Sequence, residues 1–81
     1  MAIISEQING KMITVDIKSS NLKSASFNTE DETLRVTFNN GGIYEYYKFP
    51  WENFTKFRMA ESQGKFLNTH VNGKYQYQKI K

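Results

Sequence analysis

At 81 residues the chain has room for one hydrophobic core, and with no cysteine it can form neither disulfides nor thiolate metal sites. No apolar run approaches the roughly 18 residues needed to span a bilayer, and the start of the chain lacks a charged segment followed by a hydrophobic one, so a cytoplasmic protein without membrane contacts is expected. The net charge of +3 is uneven: residues 1–49 carry five basic against six acidic side chains, residues 50–81 six against two, so any attraction for polyanions belongs to the C-terminal part.

Ile13, Val15 and Ile17 alternate with Thr14, Asp16 and Lys18, which predicts a strand with three β-branched residues on one face. Asn9-Gly10 before it is a tight-turn signal, making residues 3–7 a candidate partner strand. Ser19-Ser20-Asn21 breaks the alternation, residues 22–28 resume it weakly, and the acidic stretch 28–32 reads as a turn. Leu34, Val36 and Phe38 then define the clearest strand, Asn39-Asn40-Gly41-Gly42 a hairpin turn, and residues 43–48 the returning strand. Pro50 suits the first turn of a helix and Glu52 its positive end, while Trp51, Phe54 and Phe57 fall on one face through Ala60. Gly64 can end this helix, and Ser62 can cap a second, shorter one that stops at Asn72-Gly73. Tyr75, Tyr77 and Lys79 alternate with Gln76, Gln78 and Ile80, as in a last strand or an ordered tail.

These elements predict an α+β fold, an antiparallel β-meander of three to five strands packed on one face by two short helices. In this order, Ser19-Ser20-Asn21, Leu34-x-Val36-x-Phe38, Gly42-x-Tyr44-x-Tyr46, Pro50, Ala60-x-Ser62-x-Gly64-x-Phe66-x-Asn68 and Val71 followed by Tyr75 resemble the KTSC domain, a family named for its occurrence at the C-terminus of some lysyl-tRNA synthetases. The resemblance implies a KTSC-like domain over residues 17–81, with residues 1–16 as an N-terminal strand or hairpin extension. It also implies a small protein of bacterial or phage type, and an RNA-binding role of the kind suggested for the family. Asn72 departs from the pattern, standing where such domains tend to carry a basic residue.

The meaning of Tyr44 and Tyr46 depends on the hairpin register. A two-residue turn at Asn40-Gly41 puts both tyrosines on a face with Arg35 and Lys48, away from Leu34 and Val36, as a base-stacking platform flanked by positive charge. A three-residue loop with a bulge at Gly41 puts them in the core instead, and the usual employment of large aromatics in small domains favours that outcome. The run from Lys74 through Tyr77 and Lys79 to Lys81 interleaves aromatics with cations as strand-tracking surfaces do, and equally as a charged edge strand does. Lys56, Arg58 and Lys65 extend that basic patch or form an ordinary solvated helix face.

His70 is the single histidine, so metal sites and histidine-assisted nucleophiles lack partners. Glu30-Asp31-Glu32 lacks the glycine and distal glutamate of a calcium loop, and Gly41-Gly42 and Gly64 lack the lysine and context of a phosphate loop. No catalytic residue, metal or cofactor is expected. The leading expectation is a non-enzymatic module binding nucleic acid, RNA before DNA, through Arg35, Tyr44, Tyr46, Lys48, Lys65, Lys74, Tyr77 and Lys79. The alternative is a protein-interaction module, such as a phage-type inhibitor docking on a host protein, with Trp51 protruding beside Tyr47 and Phe49. A nucleotide-like ligand at a subunit interface is a lesser expectation, and homo-oligomerisation would help so small a core.

Overall fold

The computed structural model describes residues 3–81. The alternation of Ile13, Val15 and Ile17 produces strand β2 (Met12–Ile17), and β1 (Ile3–Asn9) pairs along it as far as Asn9, opposite Met12. Gly10 opens the intervening turn with φ 62°, so the turn is centred on Gly10-Lys11, one residue later than the Asn-Gly signal suggested. Strands β3 (Leu22–Asn28), β4 (Thr33–Phe38) and β5 (Ile43–Tyr46) follow, and β6 (Tyr77–Lys79) returns to pair with β5. The result is one antiparallel sheet in the order β1-β2-β3-β4-β5-β6. Six strands exceed the expected three to five because both the N-terminal segment and the tyrosine-rich tail find full backbone partners.

Two rows of side chains cross the covered face. Ile13, Phe27, Leu34, Tyr46 and Tyr77 make one; Val15, Ala25, Val36, Tyr44 and Lys79 make the other. Helix α1 (Trp51–Met59) lies over the first row, with Phe54 stacked on Phe27 at a centroid separation of 4.7 Å and Phe49 edge-on to Phe27 at 6.3 Å. Phe27, Phe49, Phe54 and Phe57 are fully buried and form the centre of the core.

Helix α1 ends at Met59, before Gly64, and its terminal carbonyls are claimed by a side chain. The side-chain amide nitrogen of the buried Gln63 lies within hydrogen-bond distance of the carbonyls of Ala60 (2.9 Å), Phe57 (3.2 Å) and Arg58 (3.4 Å), and its two N–H groups supply donors that the end of the helix lacks. Ser62 caps α2 (Gln63–Phe66) as expected, its hydroxyl accepting from the Lys65 amide at 3.2 Å, and Gly64 lies inside that helix. The chain continues as a single π-helical turn, Leu67–Val71, closed by a bond from the Asn72 amide to the Leu67 carbonyl at 2.9 Å, and Gly73 (φ 80°) ends it.

Arg58 fastens β1 to the helical layer. Its guanidinium donates to Glu6 at 2.9 Å and lies over the rings of Phe54 and Trp51, 5.0 and 5.1 Å from their centroids. It is therefore a structural cation and not part of a free basic patch. No helix among the described residues is long and apolar enough to cross a membrane.

Candidate functional site

The β4–β5 hairpin decides where the tyrosines go. Asn39, Asn40 and Gly41 form a three-residue loop in which the Phe38 amide donates to the Gly42 carbonyl (2.8 Å) and the Gly41 amide to the Phe38 carbonyl (3.0 Å). Gly41 takes φ 92°, the left-handed conformation that a bulge at this position needs. Val36 consequently pairs with Tyr44 and Leu34 with Tyr46, placing both tyrosines on the covered face. This is the packing register, and the platform shared with Arg35 and Lys48 does not form.

The two tyrosines nevertheless differ. Tyr46 is 4% exposed beneath the π-helical turn, whereas Tyr44, one row further on, is only half-buried because the helical layer stops short of it. A cleft of about 410 Å³ opens there. The hairpin supplies Phe38, Asn40, Gly42, Tyr44 and Tyr46 to it, the π-helical turn and its exit supply Asn68, Asn72 and Gly73, and β6 supplies Tyr77 and Lys79. Tyr77, 58% exposed, lies 6.0 Å from the Tyr44 ring and 5.9 Å from that of Tyr46, and Phe38 meets Tyr44 edge-on at 5.6 Å. The lining is thus four aromatic rings, three carboxamides and one ammonium group, with no carboxylate side chain.

The carboxamides are held by a relay. The Tyr46 hydroxyl donates to Asn72 Oδ1 (3.0 Å), Asn72 Nδ2 donates to Asn68 Oδ1 (2.9 Å), and across the cleft the Gly42 amide donates to Asn40 Oδ1 (2.9 Å). A Cβ at position 42 would come within 3.1 Å of Asn40 Oδ1, so the absence of a side chain there keeps that amide in place. Burial raises the pKa of the Tyr46 phenol above its ordinary value of 10.0, reinforced by the neighbouring phenols of Tyr44 and Tyr77, and the group stays a donor.

Of the residues singled out in the sequence, Tyr44, Tyr46, Tyr77 and Lys79 converge on the cleft. Arg35 lies on the opposite, solvated face, its Nε donating to Glu45 at 2.9 Å, and Tyr47 sits beside that pair with its hydroxyl within reach of Glu45 (3.2 Å) and Gln78 (3.1 Å). Lys48 is exposed in the loop before α1 with φ 54°, Lys65 lies on α2, and Lys74 follows Gly73; none lines the cleft. Trp51 is 46% exposed and packs on Phe27 and Phe54, but Phe49 is fully buried and Tyr47 lies on the other face, so the three do not form one patch. His70 stacks on Phe66 at 4.7 Å, and no group of three potential metal ligands occurs among the described residues. The sequence reading missed Asn40, Asn68 and Asn72 as lining residues; the family pattern drew attention to Asn68 as a matching position and to Asn72 as a departure from it.

Residues 18–75 match the family model of the KTSC domain. The chain belongs to the KTSC domain family. The match accounts for the hairpin and the helical segment with Asn68 and Asn72, while β6, with Tyr77 and Lys79, follows it in the chain. A crystal structure of a KTSC domain protein from Yersinia pestis superposes with a TM-score of 0.81 at 27% identity, covering 86% of this chain and 99% of that one. Among curated proteins, the chain is 32% identical over 59 residues to a protein of Tsukamurella paurometabola, covering 73% of this chain and 88% of that protein. It is also 29% identical over 63 residues to the lysine–tRNA ligase of Nostoc punctiforme. That stretch is 78% of this KTSC chain but only 11% of the ligase, so the chain spans about a tenth of such relatives' length.

Proposed function

We propose that this KTSC domain is a binding module for single-stranded nucleic acid, RNA before DNA, and that the cleft beside Tyr44 seats one base. The observation that carries the reading is the cleft's composition: the exposed ring of Tyr77 facing the half-buried ring of Tyr44, amides around them, a lysine at the rim and no acidic side chain among the lining residues. A base gains about 1–3 kcal/mol from stacking on such a ring, the amides offer hydrogen bonds to its edge, and Lys79 meets a phosphate. Lys74 and Lys81, both exposed, flank Lys79 in the chain and add to the attraction. Resemblance to a region of enzymes that by name act on a tRNA favours RNA. On this reading the domain is a non-enzymatic module acting in the cytoplasm.

The test is fluorescence anisotropy with labelled single-stranded RNA and DNA across a salt series. Affinity should fall with salt with a logarithmic slope of about −2, the value for roughly three phosphate contacts on a single strand. No binding even at low salt rejects the reading.

A second reading, contact with a protein partner through Trp51, is favoured by that ring's 46% exposure at the rim of the packed end. It requires a partner that survives nuclease treatment and is lost on Trp51→Ala; loss on nuclease treatment alone rejects it.

A further inference from the structure

The chain holds three Asn-Gly pairs, Asn9-Gly10, Asn40-Gly41 and Asn72-Gly73, and all six residues are exposed. An exposed Asn-Gly pair is chemically labile. The backbone nitrogen of the glycine attacks Cγ of the asparagine, a new C–N bond closes a five-membered imide, and the side-chain nitrogen leaves as ammonia, taking up the proton that the backbone nitrogen gives up. Water then opens the imide at one carbonyl or the other, leaving aspartate or its isomer linked through the side-chain carbon. Glycine permits the attack because no Cβ crowds the nitrogen. By local sequence the three pairs are equivalent.

The fold makes them unequal. Ring closure requires the carboxamide to turn over its own backbone and the glycine N–H to give up its proton. At Asn40 both are opposed: Oδ1 accepts from the Gly42 amide at 2.9 Å, one residue beyond the attacking nitrogen, and that nitrogen, on Gly41, donates to the Phe38 carbonyl at 3.0 Å. At Asn72 the carboxamide is anchored at both atoms, Oδ1 to the Tyr46 hydroxyl at 3.0 Å and Nδ2 to Asn68 Oδ1 at 2.9 Å. A donor on Oδ1 also polarises the carbonyl, but two anchors on opposite atoms hold the group against the turn that attack needs. Asn9 has no such restraint. The side-chain bonds of β1 are those of Ser5 to Asp16 and Glu6 to Arg58, and among the described residues the Gly10 nitrogen donates to no carbonyl.

We infer that Asn9-Gly10 is a site of spontaneous deamidation, and that the hydrogen bonds of the cleft shield the other two pairs from the same reaction. The outcome differs with the site. Conversion of Asn40 or Asn72 would place a carboxylate in a cleft whose lining has none. Conversion of Asn9 places it on β1, at the opposite margin of the sheet from β6, and the isomerised form adds a main-chain atom where Asn9 closes against Met12.

The test is incubation of the folded chain at mildly alkaline pH, with conversion at each site followed by peptide mapping and mass spectrometry. Asn9 is expected to convert roughly tenfold or more faster than Asn40 or Asn72, since each hydrogen bond that must open slows closure by about fivefold and each shielded pair has two. In guanidinium chloride the three rates should draw together. Conversion of Asn40 or Asn72 as fast as Asn9 in the folded chain overturns the assignment, and a ranking that survives the denaturant overturns the role of the fold. Tyr46→Phe removes a donor from Asn72 and none from Asn40, so the Asn72 rate should rise about fivefold relative to Asn40 in the same sample. An unchanged ratio overturns the shielding of Asn72.

Discussion

The covered face of the sheet has two ends made of similar residues in different states. At the β2–β3 end, Phe27, Phe49 and Phe54 are packed shut under α1. At the β5–β6 end, Tyr44 and Tyr77 stand in equivalent positions along the same rows, but the helical layer has given way to a single π-helical turn and they face an open cleft. Aromatic content does not separate core from site here. Helical cover does, and so does the hydroxyl that tyrosine carries and phenylalanine lacks. A ring that is partly wet has a use for a polar tip, and a ring beneath α1 has none.

The sharpest way to break this contrast is to truncate one ring at each end. Phe54→Ala removes a fully buried ring that stacks on Phe27, and should cost about 3–5 kcal/mol, seen in urea or thermal unfolding as a severe loss of stability in so small a domain. Tyr46→Phe sits between the two ends. It removes one hydrogen bond, to Asn72, and should cost about 1 kcal/mol near neutral pH. The same variant tests the pH response. Because the folded-state pKa of Tyr46 is raised, the unfolded chain releases that proton first; the stabilisation is whole below pH 10.0 and is lost as pH rises through the folded value. Part of the alkaline decline in the wild-type unfolding curve should therefore be missing from Tyr46→Phe. Tyr77→Ala, at the open end, should cost less than about 1 kcal/mol of stability, since it deletes a mostly exposed cross-strand neighbour. Its effect belongs in the RNA titration, where loss of a stacking ring should weaken binding by about 1–3 kcal/mol. A large stability loss and intact binding would erase the distinction between the two ends.

The packed end was largely legible in the sequence because it obeys local rules. Alternation located β2 and β4, Pro50 the start of α1, Ser62 the cap of α2 and Gly73 the exit from the π-helical turn. The site was less legible, and the reason is a single loop. Asn39-Asn40-Gly41-Gly42 satisfies the demands of both a two-residue turn and a three-residue loop with a bulge, and a shift of one residue moves Tyr44 and Tyr46 from one face to the other. Arg35 follows from the same choice: once the tyrosines go inward, Arg35 and Glu45 face each other outside and neutralise one another. Asn68 entered only as a position in the family pattern and Asn72 as the stop of the second helix and a departure from that pattern, since nothing in a polar residue announces that the helix beneath it will change pitch. Gln63 likewise gave no sign that it would be buried to satisfy the end of α1. The last two residues of β1, Ile8 and Asn9, went unseen because they run into the Asn-Gly turn signal, and only pairing with β2 extends the strand to Asn9.

The strand that carries Tyr77 and Lys79 is three residues long, sits at the margin of the sheet and has every residue exposed. Such a strand opens more readily than those inside the sheet, so the cleft exists only while β6 is zipped to β5. Any occupant that bridges Tyr44 and Tyr77 acts as a clasp across that seam, and amide protons of β6 should exchange more slowly once it is in place. Occupancy and local order become the same equilibrium, written at the one margin of the fold that is held by the fewest backbone bonds.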